Sequence, residues 1–148
     1  MTIDVSSHGT TIVLKTSSTY PAGLVLSYFA ADQQPWEIEP NEVIGVKMGI
    51  NGDMTKYATC HPVNLMFSLI PNSPDDIAMK LLLARNKAGR GKSSALDDIS
   101  LVIVTPSLKK PLVVSDGVLR SGNFGAGASN DGSLEGQRYQ LSFGSVEI

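Results

Sequence analysis

The run VNLMFSLIPNSPDDI, residues 63–77, carries the decision about the fold because two structural periods meet inside it. Val63, Leu65, Phe67 and Leu69 alternate with Asn64, Met66, Ser68 and Ile70, the two-residue period of a strand, and Pro71 ends the ladder because its nitrogen has no hydrogen to donate. The period then changes. Ser73 is placed to cap the first free amides of a helix, Pro74 has the fixed φ that suits the first helical position, and Asp75 and Asp76 complement the positive end of the helix dipole. Ile77, Leu81, Ala84 and Ala88 recur at helical spacing and predict the buried stripe, with Leu82 or Leu83 widening it, Lys80 and Arg85 pointing outward and Gly89 as the stop. Each buried Leu or Ile contributes about 1.5–3 kcal/mol against about 1 kcal/mol for the cap, so docking on a sheet decides the helix more than its local signals do.

Outward from this junction the chain reads mainly as strands. Thr10 to Lys15, Ala22 to Ala30, Glu42 to Ile50, Met54 to Cys60, Ile99 to Val104, Leu112 to Ser115 and Arg138 to Phe143 are short alternating or β-branched runs bounded by Gly, Pro, Asn and Ser. Val146 and Ile148 extend the last of them. Within Glu42 to Ile50, the residues Ile44, Val46, Met48 and Ile50 share one face, which is expected to be core. Asn51-Gly52 predicts a tight hairpin turn into Met54 to Cys60. A two-residue turn there sets Lys47 opposite Lys56, an unfavourable like-charge pair. Either acids from a neighbouring subunit accept the two lysines, or the turn is longer and both are solvated.

Length and charge bound the rest. The chain has 148 residues, one cysteine and a formal net charge of -2, from 12 Lys and Arg against 14 Asp and Glu. That fits one domain over 1–148, able to bury roughly 70% of its unfolded surface without disulfides or metal. The slightly acidic balance argues against a protein that grips nucleic-acid phosphates. Leu24 to Ala31, the longest apolar stretch, is interrupted by Ser27 and falls short of the roughly 20 residues of a membrane helix. The first ten residues lack the basic and apolar segments of a secretory signal, which points to a cytoplasmic site of synthesis.

No cluster supports an enzyme. Cys60-His61 is the one adjacent pair of soft ligands, too few for a zinc site, and reads as a small buried thiol beside a loop imidazole. No G-x-S-x-G elbow is present. The glycine-rich segment SGNFGAGASNDGS, residues 121–133, lacks the G-K-[ST] ending of a phosphate loop. Gly122, Asn123, Phe124, Gly125, Gly127 and Asn130 are therefore candidates for a mobile loop that orders against another subunit, with a plain hairpin tip as the alternative. Arg85, Lys87, Arg90 and Lys92 form the one basic cluster. It either neutralises the helix C-terminus or faces acids of a neighbouring subunit. Trp36 reads as a lid on the core.

The order of the pieces carries a resemblance: an apolar strand into N-G-D-M (Asn51 to Met54), a second strand, L-I-P-N-S-P-D-D-I (Leu69 to Ile77) opening a helix, then β-rich segments and a final Y-Q-L-S-F-G (Tyr139 to Gly144). Over residues 36–144 this resembles the inner tail-tube proteins of long-tailed, particularly contractile-tailed, bacteriophages. The resemblance implies a mainly β (α+β) fold, a β-sandwich or barrel with one flanking α-helix, assembled as stacked hexameric rings in a virion tail built in the host cytoplasm. Sheath and tape-measure proteins are the implied partners, and DNA the implied cargo, passed without tight binding. Under this reading Lys47 and Lys56 join the basic cluster and the glycine-rich residues as subunit-interface candidates, and Glu42, Asp53 and Asp131 are lumen-facing candidates. No catalytic residue, cofactor or metal is expected. The alternatives are a ring-forming tail terminator or baseplate adaptor, and a monomeric β-domain that binds a ligand or a protein.

Overall fold

The computed structural model describes residues 2–31, 34–128 and 130–147, so Ile148, expected to extend the last strand, lies outside the described residues. Its elements are β1 (Thr11–Thr16), β2 (Leu24–Leu26), β3 (Trp36–Ile38), β4 (Ile44–Met48), β5 (Met54–Ala58), β6 (Val63–Leu69), α1 (Pro74–Asn86), β7 (Ile99–Val104), β8 (Leu112–Gly122) and β9 (Gln137–Glu147). Seven strands form one antiparallel sheet in the order β2-β1-β7-β8-β9-β6-β3, while β4 and β5, among the described residues, pair only with each other. The sheet curls into a half-barrel. Its concave face is filled by alternate residues of each strand: Ile12 and Leu14, Leu65, Phe67 and Leu69, Ile99, Leu101 and Ile103, Val114, and Tyr139, Leu141 and Phe143. Registers such as Leu14 against Leu101 and Phe67 against Tyr139 bring these side chains directly opposite one another.

The two ends of the sheet meet on one short piece of chain. Leu24–Leu26 pairs with β1, and two residues later Phe29 bridges Leu69 of β6, with Ile70 N–H donating to Tyr28 C=O (2.9 Å) and Ala30 N–H to Ser68 C=O (3.0 Å). Between the two pairings the amides of Ser27 and Tyr28 have no strand partner. Both donate to the Asp75 carboxylate, at 2.7 and 3.1 Å. The single strand expected over Ala22 to Ala30 is thus split into two short pairings on opposite edges.

The helix begins where the sequence places it, with Ser73 Oγ accepting from Asp76 N–H at 3.2 Å and Pro74 at its first position. It ends earlier, at Asn86, and its inward stripe is Asp75, Asp76, Met79, Leu82 and Leu83. Ile77 and Leu81, expected inside, are exposed. The reason lies in the first turn: Asp76 turns into the protein to accept the buried Tyr139 hydroxyl (2.7 Å), the Asn72 N–H (3.1 Å) and the Lys80 ammonium (2.7 Å). Fixing positions 75 and 76 inward fixes positions 79, 82, 83 and 86 inward as well. Burial, together with the neighbouring carboxylate of Asp76, pushes the Tyr139 hydroxyl far above its ordinary range.

Two further features depart from expectation. β8 and β9 each run eleven residues, so Gly122 lies in a strand, under the Tyr139 ring of its cross-strand partner. Gly117 lies likewise under Phe143, and both aromatic rings occupy the space a Cβ would need. Asp97, in a connection expected to be merely polar, is buried. It accepts the Ser18 amide (2.9 Å) and the Ser18 and Thr19 hydroxyls (2.5 Å each), together with the Asn86 amide nitrogen (2.9 Å). This ties the β1–β2 turn to the end of α1. Burial alone would raise the Asp97 carboxyl, but the hydroxyls and amides around it outweigh burial and hold it well below the usual carboxylate range.

A carboxyl lowered in the folded state contributes stability that is present above its unfolded pKa of about 4 and is lost as pH falls through the folded value. Urea unfolding followed from pH 7 downward will therefore show wild-type stability falling more steeply below about pH 4 than that of Asp97→Asn. Asp97→Ala, which leaves buried donors unpaired, will cost about 2 kcal/mol or more at pH 7.

Candidate assembly surface

β3–β4 and β5–β6 form one long ribbon whose base belongs to the body and whose tip projects from it. In the base Trp36 pairs with Phe67 and Ile38 with Leu65; in the tip Ile44 pairs with Ala58, Val46 with Lys56 and Met48 with Met54. The register changes by one residue across the stem, where Pro40 and Pro62 interrupt the ladder. There the Asn41 side chain donates to Pro62 C=O (3.1 Å), Thr59 Oγ1 to Glu42 C=O (2.9 Å), and Asn64 Nδ2 to Glu39 Oε2 (3.0 Å). At the tip Gly52, at φ 87°, donates its N–H to Gly49 C=O (3.0 Å), making a three-residue loop in place of the expected two.

That extra residue settles the lysines. Lys47 lies opposite Thr55 and Lys56 opposite Val46, so the two ammonium groups sit on opposite faces and the like-charge clash does not arise. Lys47 reaches over the Tyr57 ring (5.7 Å to the centroid) on the face where Tyr57 covers Gly45.

The other face is uncovered, and it is apolar except for Lys56, which lies beside Val46. Ile44, Val46, Met48 and Met54 are 54%, 59%, 65% and 63% exposed, where the sequence predicts core. The alternation is real, but the half of the ribbon that carries it lies beyond the body. No other described element packs extensively on it. A largely apolar strand face and two edges unpaired among the described residues make this projecting element the candidate assembly surface.

The remaining candidates fall into two groups. Lys87 Nζ lies 5.2 Å over the Phe124 ring, so the basic cluster and the glycine-rich loop do share a surface. Lys92 Nζ donates to Ala84 C=O at 2.6 Å, which is the helix-capping role, while Arg85 and Arg90 are exposed. Asn123, Phe124, Gly125, Gly127 and Asn130 lie in the β8–β9 connection, which folds back on itself through Glu135 N–H to Gly127 C=O (2.8 Å) and a bridge between Ala128 and Leu134. The acids are dispersed: Glu42 in the ribbon stem, 3.7 Å from His61, Asp53 at the ribbon tip, and Asp131 in the β8–β9 connection bonded to Ser133 (3.0 Å). Cys60 is exposed, not buried as expected.

A groove of about 460 Å³ was not legible in the sequence. Trp36 and Ile38 line it from the free side of β3, facing Val5, Ile103, Leu108 and Leu112. The signal for β3 was present as Trp36 and Ile38 alternating between Pro35 and Pro40, but three residues give too short a pattern to separate from a loop.

Residues 3–147 match the family described as tail fiber protein gp32. Among solved structures, a chain of the cryo-EM structure of the anti-feeding prophage (AFP) baseplate, 6-fold symmetrised, is similar at a TM-score of 0.57 and 11% identity, covering 99% of this chain and 96% of that one. A chain of an extracellular contractile injection system, the PVC sheath/tube terminator in its extended state, aligns at a TM-score of 0.47 and 10% identity, with coverage of 99% and 96%. No curated protein matches. The family match supports a phage-tail-type protein and is not specific to the inner tube.

Because the tip is outside the core, replacing Ile44 and Met48 together by Thr will change the urea-unfolding free energy of the body by less than about 0.5 kcal/mol. Gly122→Ala, which drives a methyl into the Tyr139 ring, will lower it by about 1–3 kcal/mol in the same measurement.

Proposed function

We propose that this chain, which belongs to the tail fiber protein gp32 family, is a structural protein of a phage-type tail that joins copies of itself into a ring at the baseplate or the tube end. The observation that carries this reading is the β4–β5 ribbon: an apolar face that the fold makes and leaves outside its own core. At about 3.3 Å per residue, a ribbon running from residue 39 to residue 51 reaches up to about 40 Å from its base, far enough to lie on another subunit and too stiff to return to its own body. Head-to-tail contacts of this kind close into rings when the rotation between copies permits.

The likeness in fold to a baseplate chain favours an adaptor over the tube protein. In the adaptor reading the domain makes one or two rings and stops, with tube and sheath proteins as neighbours. DNA passes through the opening without being held, in keeping with a net charge of -2. Asp53 at the ribbon tip, Glu42 in its stem and Asp131 in the β8–β9 connection are the acids proposed to face that opening. The role is one of assembly, with no reaction to catalyse.

Negative-stain electron microscopy of the purified chain, with sedimentation across a concentration series, tests this. Isolated rings are the expected result. Long tubes would replace the adaptor by the tube reading, and a monomer at every concentration would overturn self-assembly.

A further inference from the structure

The groove beside β3 is bordered by a free strand edge, and the atoms on that edge identify what fits it. Ser68 N–H donates to Pro35 C=O (2.9 Å) and Glu39 N–H to Asn64 C=O (3.1 Å), so residues 35, 37 and 39 direct their backbone groups to β6. By the alternation of an antiparallel ladder, Trp36 and Ile38 direct theirs the other way, to the free edge of β3 beside the groove that both residues line. In the ribbon tip, Thr59 N–H donates to Val43 C=O (3.1 Å) and Gly49 N–H to Asp53 C=O (2.6 Å). Residues 43, 45, 47 and 49 therefore face β5, and Ile44, Val46 and Met48 present their N–H and C=O groups on the free edge of β4.

We propose that β4 of one copy adds to the free edge of β3 of a second copy, antiparallel, with Val46 beside Ile38 and Met48 beside Trp36, placing its apolar side chains in the groove. The inference rests on the self-assembly reading above and names its contact. Three observations select it. In an antiparallel pair, residues that exchange backbone bonds project their side chains to the same face, so Val46 and Met48 enter the groove with Trp36 and Ile38. A parallel addition would instead turn Gly45 and Lys47 into it. The free edge of β5 carries Met54, Lys56 and Ala58, and its addition would set the Lys56 ammonium directly beside Trp36 and Ile38, whereas addition of β4 leaves Lys56, which shares the face of Val46, one strand further out, so β4 is the donor. The register that pairs Val46 with Ile38 sets Lys47 opposite Glu37 on the outer face, an opposite-charge cross-strand pair.

The same register leaves the contact head to tail. A two-fold arrangement making both contacts at once would bring Glu42 against Glu42 of the second copy and set Pro40, which has no N–H, opposite Ile44. With one contact per pair of copies, each subunit keeps a donor and an acceptor free for further neighbours.

Proline substitutions at outward-facing positions test this without touching the internal ladders. Val46→Pro disables the donor and Ile38→Pro the acceptor, and each variant's thermal unfolding midpoint checks that it is folded. Sedimentation should show each variant at least a hundredfold weaker in self-association than wild type, and an equal mixture forming one-to-one dimers that grow no further. If a proline disturbs folding, charge exchange decides instead: Glu37→Lys alone weakens assembly at low salt, and combining it with Lys47→Glu restores it. Variants that assemble like wild type, or a mixture that stays monomeric while wild type forms rings, would overturn this contact and leave the ring reading standing. A wild type that stops at a dimer would overturn the head-to-tail arrangement, and a monomeric wild type would overturn both readings.

Discussion

One carboxylate holds the two ends of the sheet together. Where the chain leaves its pairing with β1 and turns toward β6, the amides of Ser27 and Tyr28 lose their ladder partners, and Asp75 accepts both. Ser27 and Tyr28 are exposed and Asp75 is buried, so the carboxylate depends on these two bonds: a buried acceptor left unpaired costs about 1–3 kcal/mol. The helix is held at the same place, because Asp75 can reach the seam only if the first turn of α1 faces inward. Asp76 follows it, bonded to Tyr139 and Lys80, and Met79, Leu82 and Leu83 complete the core along the stripe these two residues define.

This coupling explains both what the sequence disclosed and what it concealed. β6, the helix start and the final strand were legible because apolar alternation and a Ser-Pro-Asp-Asp cap are local signals. The buried face of the helix was not, because its outermost members are acids and hydropathy counts them as solvent-facing. Asp97 was hidden for the same reason. The hairpin was legible as a hairpin, but its register depended on one residue in the turn, and a shift of one moves Lys47 and Lys56 to different faces. Gly122 and Gly117 looked like breakers and serve as beds for aromatic rings across the sheet, a pairing that distant sequence positions do not announce.

The candidate surface was legible in part. Alternation marked Ile44, Val46 and Met48 as one strand face but Ile50 lies in the tip loop, and what the sequence could not show is that the body ends before that face begins, so that it is not core. Hydrophobic patterning says that a surface is to be covered, without saying by which molecule. The basic cluster and glycine-rich loop come together through Lys87 and Phe124, yet Lys92 is engaged at the helix end, so much of that charge serves the fold. The division of labour is spatial: a half-barrel closed by buried acids, and a ribbon that carries the unpaired edges.

The stem between the two parts has a mechanical consequence. A β-ribbon pulled apart from its tip unzips rung by rung, and continuous rungs would transmit the opening into Trp36 to Ile38 and on to β6. Pro40 and Pro62 break that continuity, and the side chains of Asn41 and Thr59 hold the stem by bonds outside the ladder. Load on the tip is therefore arrested at the stem, so that the ribbon can open without the half-barrel losing its fold.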